Sequence, residues 1–356
     1  MRKERCPVHI VESPIRSGTT FQEAVTFLQS RNRTLIPTDV SVLSVDGETG
    51  QLIYAGDRYG MTERAINQIC GRLGVTSSYV KKIDNGIAAE NFNTFLPHAI
   101  GRGLLAVEDA GDGSAGVVTG FLKESSEPVD PVALAEAVAE RYSDGAMDLV
   151  SWFSDDAGLV LRLASPKRAE PRVGDVVQAG VDILARQDSN ISIGIRGSVF
   201  RLVCANGAVA PEPHGLRTAI RRAEWQDPAA RIELALGLVD DTVQATFHTV
   251  QGLSGLTRLE LDLPPSAEGR YEAIKAGLRS NTIGVIKAKP LTEATVDAMY
   301  QEEPTMFGLY NALTRIGRDS REPKLRRTFE QAGFGIALNP GPVFQAINDA
   351  LETVEA

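Results

Sequence analysis

The strongest alternation of apolar and polar positions lies in the middle of the chain. From Val173 onward Val177, Ala179, Val181 and Ile183 line one strand face. Ile191, Ile193 and Ile195 line another, and Gly197 breaks the run ahead of "SVFRLVC". Upstream, "AMDLVSWF" and "GLVLRLAS" flank "SDDAG", the pattern of a hairpin. Residues 39–56 alternate around Asp46-Gly47 and predict a second hairpin. "LLAVEDAGDGSAGVVTGFLKES" predicts two strands about a Gly-rich turn.

Elsewhere the period lengthens to that of a helix. Residues 1–37 are weakly periodic apart from a short helix around "FQEAVTFL". Asp130-Pro131 opens a helix with a capping side chain and a proline whose missing N–H costs nothing there. Ala135, Val138, Ala139 and Tyr142 form its apolar stripe. Asp227-Pro228 repeats the arrangement, and Ile232, Leu236, Val239, Val243, Phe247 and Val250 follow at spacings of 4, 3, 4, 4 and 3. Further helices are expected over 268–280, 292–302, 304–316, 323–333 and 342–354.

Strands and helices do not alternate regularly, which argues against a doubly wound parallel sheet. The pattern predicts an α+β fold, with a mostly antiparallel sheet, flanking helices and a helical C-terminal part. Residues 146–204 should hold at least four mostly antiparallel strands. The chain divides into an N-terminal extension with the first strands (1–50), an α+β core (51–252) and a helical C-terminal region packed on it (253–356).

"QICGRLGVTSSYVKKI" (68–83) has the look of a helix-turn-helix: Ile69 and Leu73 one turn apart, Gly74 to turn, Thr76 to cap a second helix. A recognition helix presents polar or basic side chains to a groove. Ser77, Ser78, Lys81 and Lys82 would serve, but "NGIAAENFNTF" after them is acidic or neutral. A buried helical turn with two solvated lysines is the better reading. Tyr79, Val80 and Ile83 are therefore expected to pack inward.

Composition changes this picture little: 43% of the 356 residues are hydrophobic and 23% charged, as in globular domains. No apolar run is long enough to span a bilayer, and the basic start lacks the apolar stretch of a signal peptide. A cytoplasmic protein with no membrane partner is expected. Cys6, Cys70 and Cys204, with histidines at 9, 98, 214 and 248, show no metal-ligand spacing, so neither metal nor cofactor is expected. The adjacent pairs Asp155-Asp156 and Asp240-Asp241 make weak metal sites. "DAGDGSAG" (109–116) and "NPGPV" (339–343) lack the order of a phosphate loop.

Charge changes it more. The net charge of −9 conceals three basic segments: 191–223, with five arginines against Glu212 alone; 275–289, with four basic residues and no acid; and 314–327, with six against two. Converged in space they could meet phosphates; separate, they are solvated faces. "FRLVCANG" (200–207) is the most pointed motif. Phe200, Leu202 and Cys204 share one strand face, Val199, Arg201 and Val203 the other, and Asn206-Gly207 turns the chain. "PHGLRTAIRR" then reads as helical, with Arg217 and Arg221 one turn apart. Arg196, Arg201, Arg217, Arg221 and Arg222 are the candidate nucleic-acid-binding residues, a structural salt bridge on the sheet being the plain alternative for Arg201. No catalytic residue is assigned: Cys204 with His214 as its base would lack an activating third group.

Four stretches, in order, carry a resemblance: "MTERAINQICGRLGVTSSYVKKI", "GVVTGFLKESSEPVDPVALAEAV", "SNISIGIRGSVFRLVCANGAV" (189–209) and "MFGLYNALTRIGRD" (306–319). Together they resemble the phage/plasmid-like proteins gathered as Domain of Unknown Function 932, over roughly residues 50–335. One departure stands out, "KESSEP" in place of that family's Ser-Arg-Tyr. The resemblance implies carriage on phages, plasmids and integrated elements, and no assigned reaction. The resulting expectation is a nucleic-acid-binding protein of a mobile element. It would bind or anneal single-stranded DNA, favoured over duplex, in recombination or replication, with homo-oligomerisation open. The alternative is an acidic, non-catalytic accessory or partner-binding protein.

Overall fold

The computed structural model describes residues 9–11, 16–99, 101–109, 116–123, 128–156, 158–186, 191–202, 209–221, 227–280, 289–320 and 323–355. Its strands, in chain order, are β1 (Arg16–Gly18), β2 (Arg33–Asp39), β3 (Ser44–Val45), β4 (Leu52–Tyr54), β5 (Asp57–Met61), β6 (Arg102–Glu108), β7 (Val117–Lys123), β8 (Asp148–Ser154), β9 (Gly158–Arg172), β10 (Asp175–Arg186), β11 (Ile191–Leu202) and β12 (Val209–Arg221). They form two six-stranded sheets. The sheet of shorter strands runs β2-β6-β7-β5-β4-β3 and contains one parallel pair, β5 with β7. The other runs β1-β8-β9-β10-β11-β12, every pairing antiparallel. The helices are α1 (Phe21–Ser30), α2 (Glu63–Leu73), α3 (Ser77–Val80), α4 (Asn85–Phe95), α5 (Pro131–Arg141), α6 (Pro228–Leu256), α7 (Ala267–Ser280), α8 (Lys289–Met299), α9 (Met306–Asp319), α10 (Pro323–Leu338) and α11 (Pro340–Glu355). This is an α+β fold, mostly antiparallel, with flanking helices and a helical C-terminal part.

Local chemistry explains the helix starts. Thr20 and Glu23 close a capping box on α1. Asp130 accepts the Val132 N–H at 2.9 Å, and Asp227 accepts the Ala229 N–H at 3.0 Å, each just ahead of a first-turn proline. Three apolar cores follow. Ile66, Ile69 and Cys70 of α2 and Ala88 and Phe92 of α4 pack with the shorter strands around Leu105 and Val118. Against the long sheet, α1, α5 and the first half of α6 bury Leu134, Val138, Ile232 and Leu236 on Leu161, Val181, Ile183 and Ile195. The second half of α6 (Val250, Leu253, Leu256) joins α7 to α11 in a third core that also takes Val177 and Val199 from the sheet. The boundary expected at 252/253 falls inside α6, whose 29 residues serve both of the larger cores.

Residues 68–83 are no reading head. Thr62 caps α2, and Gly74 ends it in the left-handed conformation at φ 68°. The second helix, α3, has only four residues, too short to lie along a groove. Val80 is buried and Ile83 half-buried, but Tyr79 is 51% exposed, against the expectation that it packs inward. A single turn buries one side only, and Val80 occupies it. Lys81 pairs with Glu63 at 2.5 Å.

Residues 209–221 correct a second expectation. "PHGLRTAIRR" belongs to strand β12 as far as it is described, not to a helix. Pro211 and Pro213 suit an edge strand, where a missing N–H is tolerated, and β12 pairs with β11 from Leu202↔Val209 to Ile191↔Arg221. Long-range pairing has overridden local helical spacing. Strand β1 and most of β2 also arise within 1–37, where periodicity signals only the helix. No helix among the described residues is long and apolar enough to cross a membrane.

Candidate nucleic-acid interface

The site begins with four long neighbouring strands: β9 to β12 have 15, 12, 12 and 13 residues. Apolar positions such as Leu161, Val181, Ile183 and Ile195 turn to the helices. Among the intervening positions, Arg162, Asp182 and Arg196 carry charge. Arg162, Asp182, Arg196 and Arg217 stand directly opposite one another across the four strands. Three inter-strand steps make this row about 14 Å wide.

Asp182 is the anchor of the row and only 1% exposed. Arg196 reaches its Oδ2 through Nη2 at 2.5 Å, Ser198 Oγ donates to Oδ1 at 2.8 Å, and Arg162 Nε lies 3.6 Å from Oδ1. A carboxylate can accept several donors, so one buried acid holds two guanidinium groups in place. The Arg196 Nε is buried, with no hydrogen-bond partner among the described residues. Arg168, exposed, is in register with Gln178, nearer the start of β10 than Asp182. Phe200 is fully buried, its ring over Gly180, where a Cβ would collide with it and with the Leu163 carbonyl.

Among the five arginines expected from the sequence, Arg196 is the one described in full, and it is both paired and in the row. Arg217 is placed opposite it by backbone register. Arg201 stands opposite Val177 and Ala210, and Arg221 opposite Ile191. The side chains of Arg201, Arg217 and Arg221, and all of Arg222, lie outside the described residues. With β12 a strand, Arg217 and Arg221 are about 13 Å apart rather than one helical turn. The four placed arginines therefore spread along two adjacent strands instead of clustering. Cys204 and the His214 side chain also lie outside the described residues.

The other basic segments contribute less than their composition suggests. Lys275 pairs with Glu272 at 2.7 Å, and Arg315 with Glu302 at 3.0 Å, so these two charges are neutralised locally. In each acidic pair one member has a structural partner. Asp155 accepts the Gly158 N–H in the β8–β9 turn. Asp240 takes Arg141 at 3.0 Å and the Tyr142 hydroxyl at 3.4 Å, and burial, with the Asp240 charge, raises the Tyr142 pKa. No three His, Cys, Asp or Glu side chains among the described residues gather as metal ligands would.

Arg162, Arg168 and Asp182 escape a reading of the sequence alone. A signal is present even so: each interrupts or flanks an apolar strand run, where a charged residue must find a partner or reach solvent. The chain thus defines a class, an α+β protein with a long antiparallel sheet bearing a transverse row of arginines around a buried aspartate. It matches no protein-family model, no curated protein and no solved structure.

Proposed function

We propose that the chain binds the sugar-phosphate backbone of single-stranded nucleic acid along strands β9 to β12, without catalysing a reaction on it. The observation that carries this reading is the register row Arg162, Asp182, Arg196 and Arg217, in which three arginines accompany one acid. Phosphate contacts from arginine position a strand and are indifferent to its sequence, and long strands supply an extended track for them. Exposed Arg168, and Arg221 four positions along β12 from Arg217, extend the basic band, whereas Arg201, five positions from Arg196 and opposite Val177, belongs to the other face of the sheet. The resemblance of its motif order to a mobile-element family is in keeping with DNA as the polymer, a cytoplasmic location and recombination or replication as the setting.

A second reading, an acidic partner-binding accessory protein, draws on a specific observation as well. Arg196 is already committed to Asp182, and the whole chain carries −9. Salt-dependent binding to single-stranded and duplex DNA separates the two. Replacing Arg217 and Arg221 together by alanine should weaken binding to all sequences. The slope of log K against log salt should become shallower by roughly 0.7 for each phosphate no longer engaged on a single strand. Absence of DNA and RNA binding at low salt would leave the accessory-protein reading.

A further inference from the structure

We propose that the long sheet seats the bases of a single nucleic-acid strand on an apolar row beside its arginine row. This seat presupposes that the sheet binds nucleic acid, and it adds where the bases go. Two residues along each strand from the arginine row, the register aligns Phe153, Val160, Leu184, Gly194 and Ala219 across β8 to β12. A step of two keeps to one face of a sheet, so this row shares its face with Arg162, Asp182 and Arg196. The neighbouring positions Trp152, Leu161, Ile183, Ile195 and Ile220 turn the other way, into the core under α1, α5 and α6.

The row is apolar yet reaches solvent. Phe153 is 38% exposed, and Val160, Leu184, Gly194 and Ala219 are half-buried. The solvent-reaching face of an antiparallel sheet ordinarily carries polar side chains. None of these five does. Gly194 and Ala219 add little bulk, so the surface stays low beside Leu184, where a flat ring can lie. Basic positions border the row on both sides. On one side are Arg162 and Arg196, both held by Asp182, with Arg217 beside them by backbone register. On the other, two residues beyond Leu184 and Ala219, register places Arg186 and Arg221. The acids near this face are engaged or set apart. Asp182 is met by Arg196 and Ser198. Asp155 accepts the Gly158 N–H in the β8–β9 turn, where half-buried Asp156 also lies. Exposed Asp148 stands opposite Ala164, on the far side of the arginine row.

The occupant must be flat and apolar over the row and anionic along its border. A nucleic-acid strand meets both demands, because every nucleotide joins one base to one phosphate. The two rows are about 7 Å apart, two residues of strand, which is close to the reach from a phosphate to its own base. Four inter-strand steps make the apolar row about 19 Å long. A strand lying across the sheet has room there for on the order of two or three unstacked bases, as on the sheets of RNA-binding modules. In a duplex the bases are covered by one another and cannot reach the row. Every base has an apolar face, so the contact tells a base-bearing strand from a bare phosphodiester chain, not one sequence from another.

The test titrates the full chain, over a range of salt concentrations, with oligodeoxyadenylate and with an abasic phosphodiester chain of the same length. The parent should bind the base-bearing strand about tenfold more tightly. The two salt slopes should agree, because the phosphates are equal in number. Phe153→Ala should bring the base-bearing strand down towards the abasic affinity, leaving abasic binding and the salt slope as they were. Phe153→Leu, which keeps apolar volume without the ring, should act in the same direction and serves if Phe153→Ala does not fold. Phe153→Trp should keep or raise the affinity. The proposal is overturned, with backbone binding intact, if the parent binds both chains equally or if a folded Phe153→Ala or Phe153→Leu variant keeps the full difference. Absence of binding to either chain at low salt overturns the nucleic-acid reading and this seat together.

Discussion

At the scale of single residues, burial decides what a side chain can do. Cys70 is wholly buried in the α2–α4 core, and desolvation pushes its thiol up to about 11. A thiol is reactive as its thiolate, so Cys70 should resist alkylation at pH 8 in the native protein and react once denaturant opens that core; peptide mass mapping reads this directly. The sign of the linked stability effect follows. The folded state holds the proton to higher pH than the unfolded state does, so this contribution is complete below the ordinary thiol range and is lost as pH rises towards 11. Cys70→Ala should therefore flatten the fall of stability between about pH 9 and 11, measured by urea denaturation at each pH. Asp182 is as deeply buried, and its carboxylate is met by Arg196 and Ser198. The burial of Cys70 is partly legible in the sequence, because an isolated cysteine in an apolar helix stripe is expected inside. The pairing of Asp182 is not, since nothing in "AGVDILA" names the arginine fourteen residues on as a partner.

At the scale of elements, the long sheet depends on close approach as much as on alternation. Gly180 of β10 lies beneath the Phe200 ring and against the Leu163 carbonyl, leaving no room for a Cβ. Gly180→Ala should cost on the order of 2 kcal/mol through forced movement of β9 and β11, seen as a lower urea midpoint with an unchanged m-value. Strand β12 shows where local pattern misleads. Arg217 and Arg221 have helical spacing, yet pairing with β11 makes the segment a strand. Helices α5 and α6 behave in the opposite way. Their caps and stripes are local, and Asp130, Asp227, Ile232, Leu236, Val239 and Val243 do in the structure what their spacing implies.

At the scale of the whole molecule, α6 is the beam between the two larger cores. Its first half rests on β9, β10 and β11, and its second half on the C-terminal helices. Ala245 lies midway, on the exposed side. Ala245→Pro removes a helical hydrogen bond without disturbing a buried side chain, and should cost about 3 kcal/mol. If α6 couples the cores, this change should also split a single calorimetric transition into two, whereas one transition at lower temperature would show that the cores are joined by other contacts. The Arg31 guanidinium plays a comparable part between the sheets, since it holds the Glu108 carboxylate at the end of β6 and donates to Ser154 and to the Asp155 carbonyl of the β8–β9 hairpin.

The periods of hydrophobic residues, the Asp-Pro helix starts and the turn residues are interactions between near neighbours. The chain by itself therefore determined the α+β class, the four strands within 146–204 and the run of C-terminal helices. The order of strands in two sheets, the strand state of 209–221 and the surroundings of Arg31 and Asp182 were decided only by the tertiary structure. Those features join residues as far apart as Arg16 and Ser154, which pair between β1 and β8. No local propensity encodes such a pairing: it exists only once separate elements have packed, and packing then sets which charges are buried together.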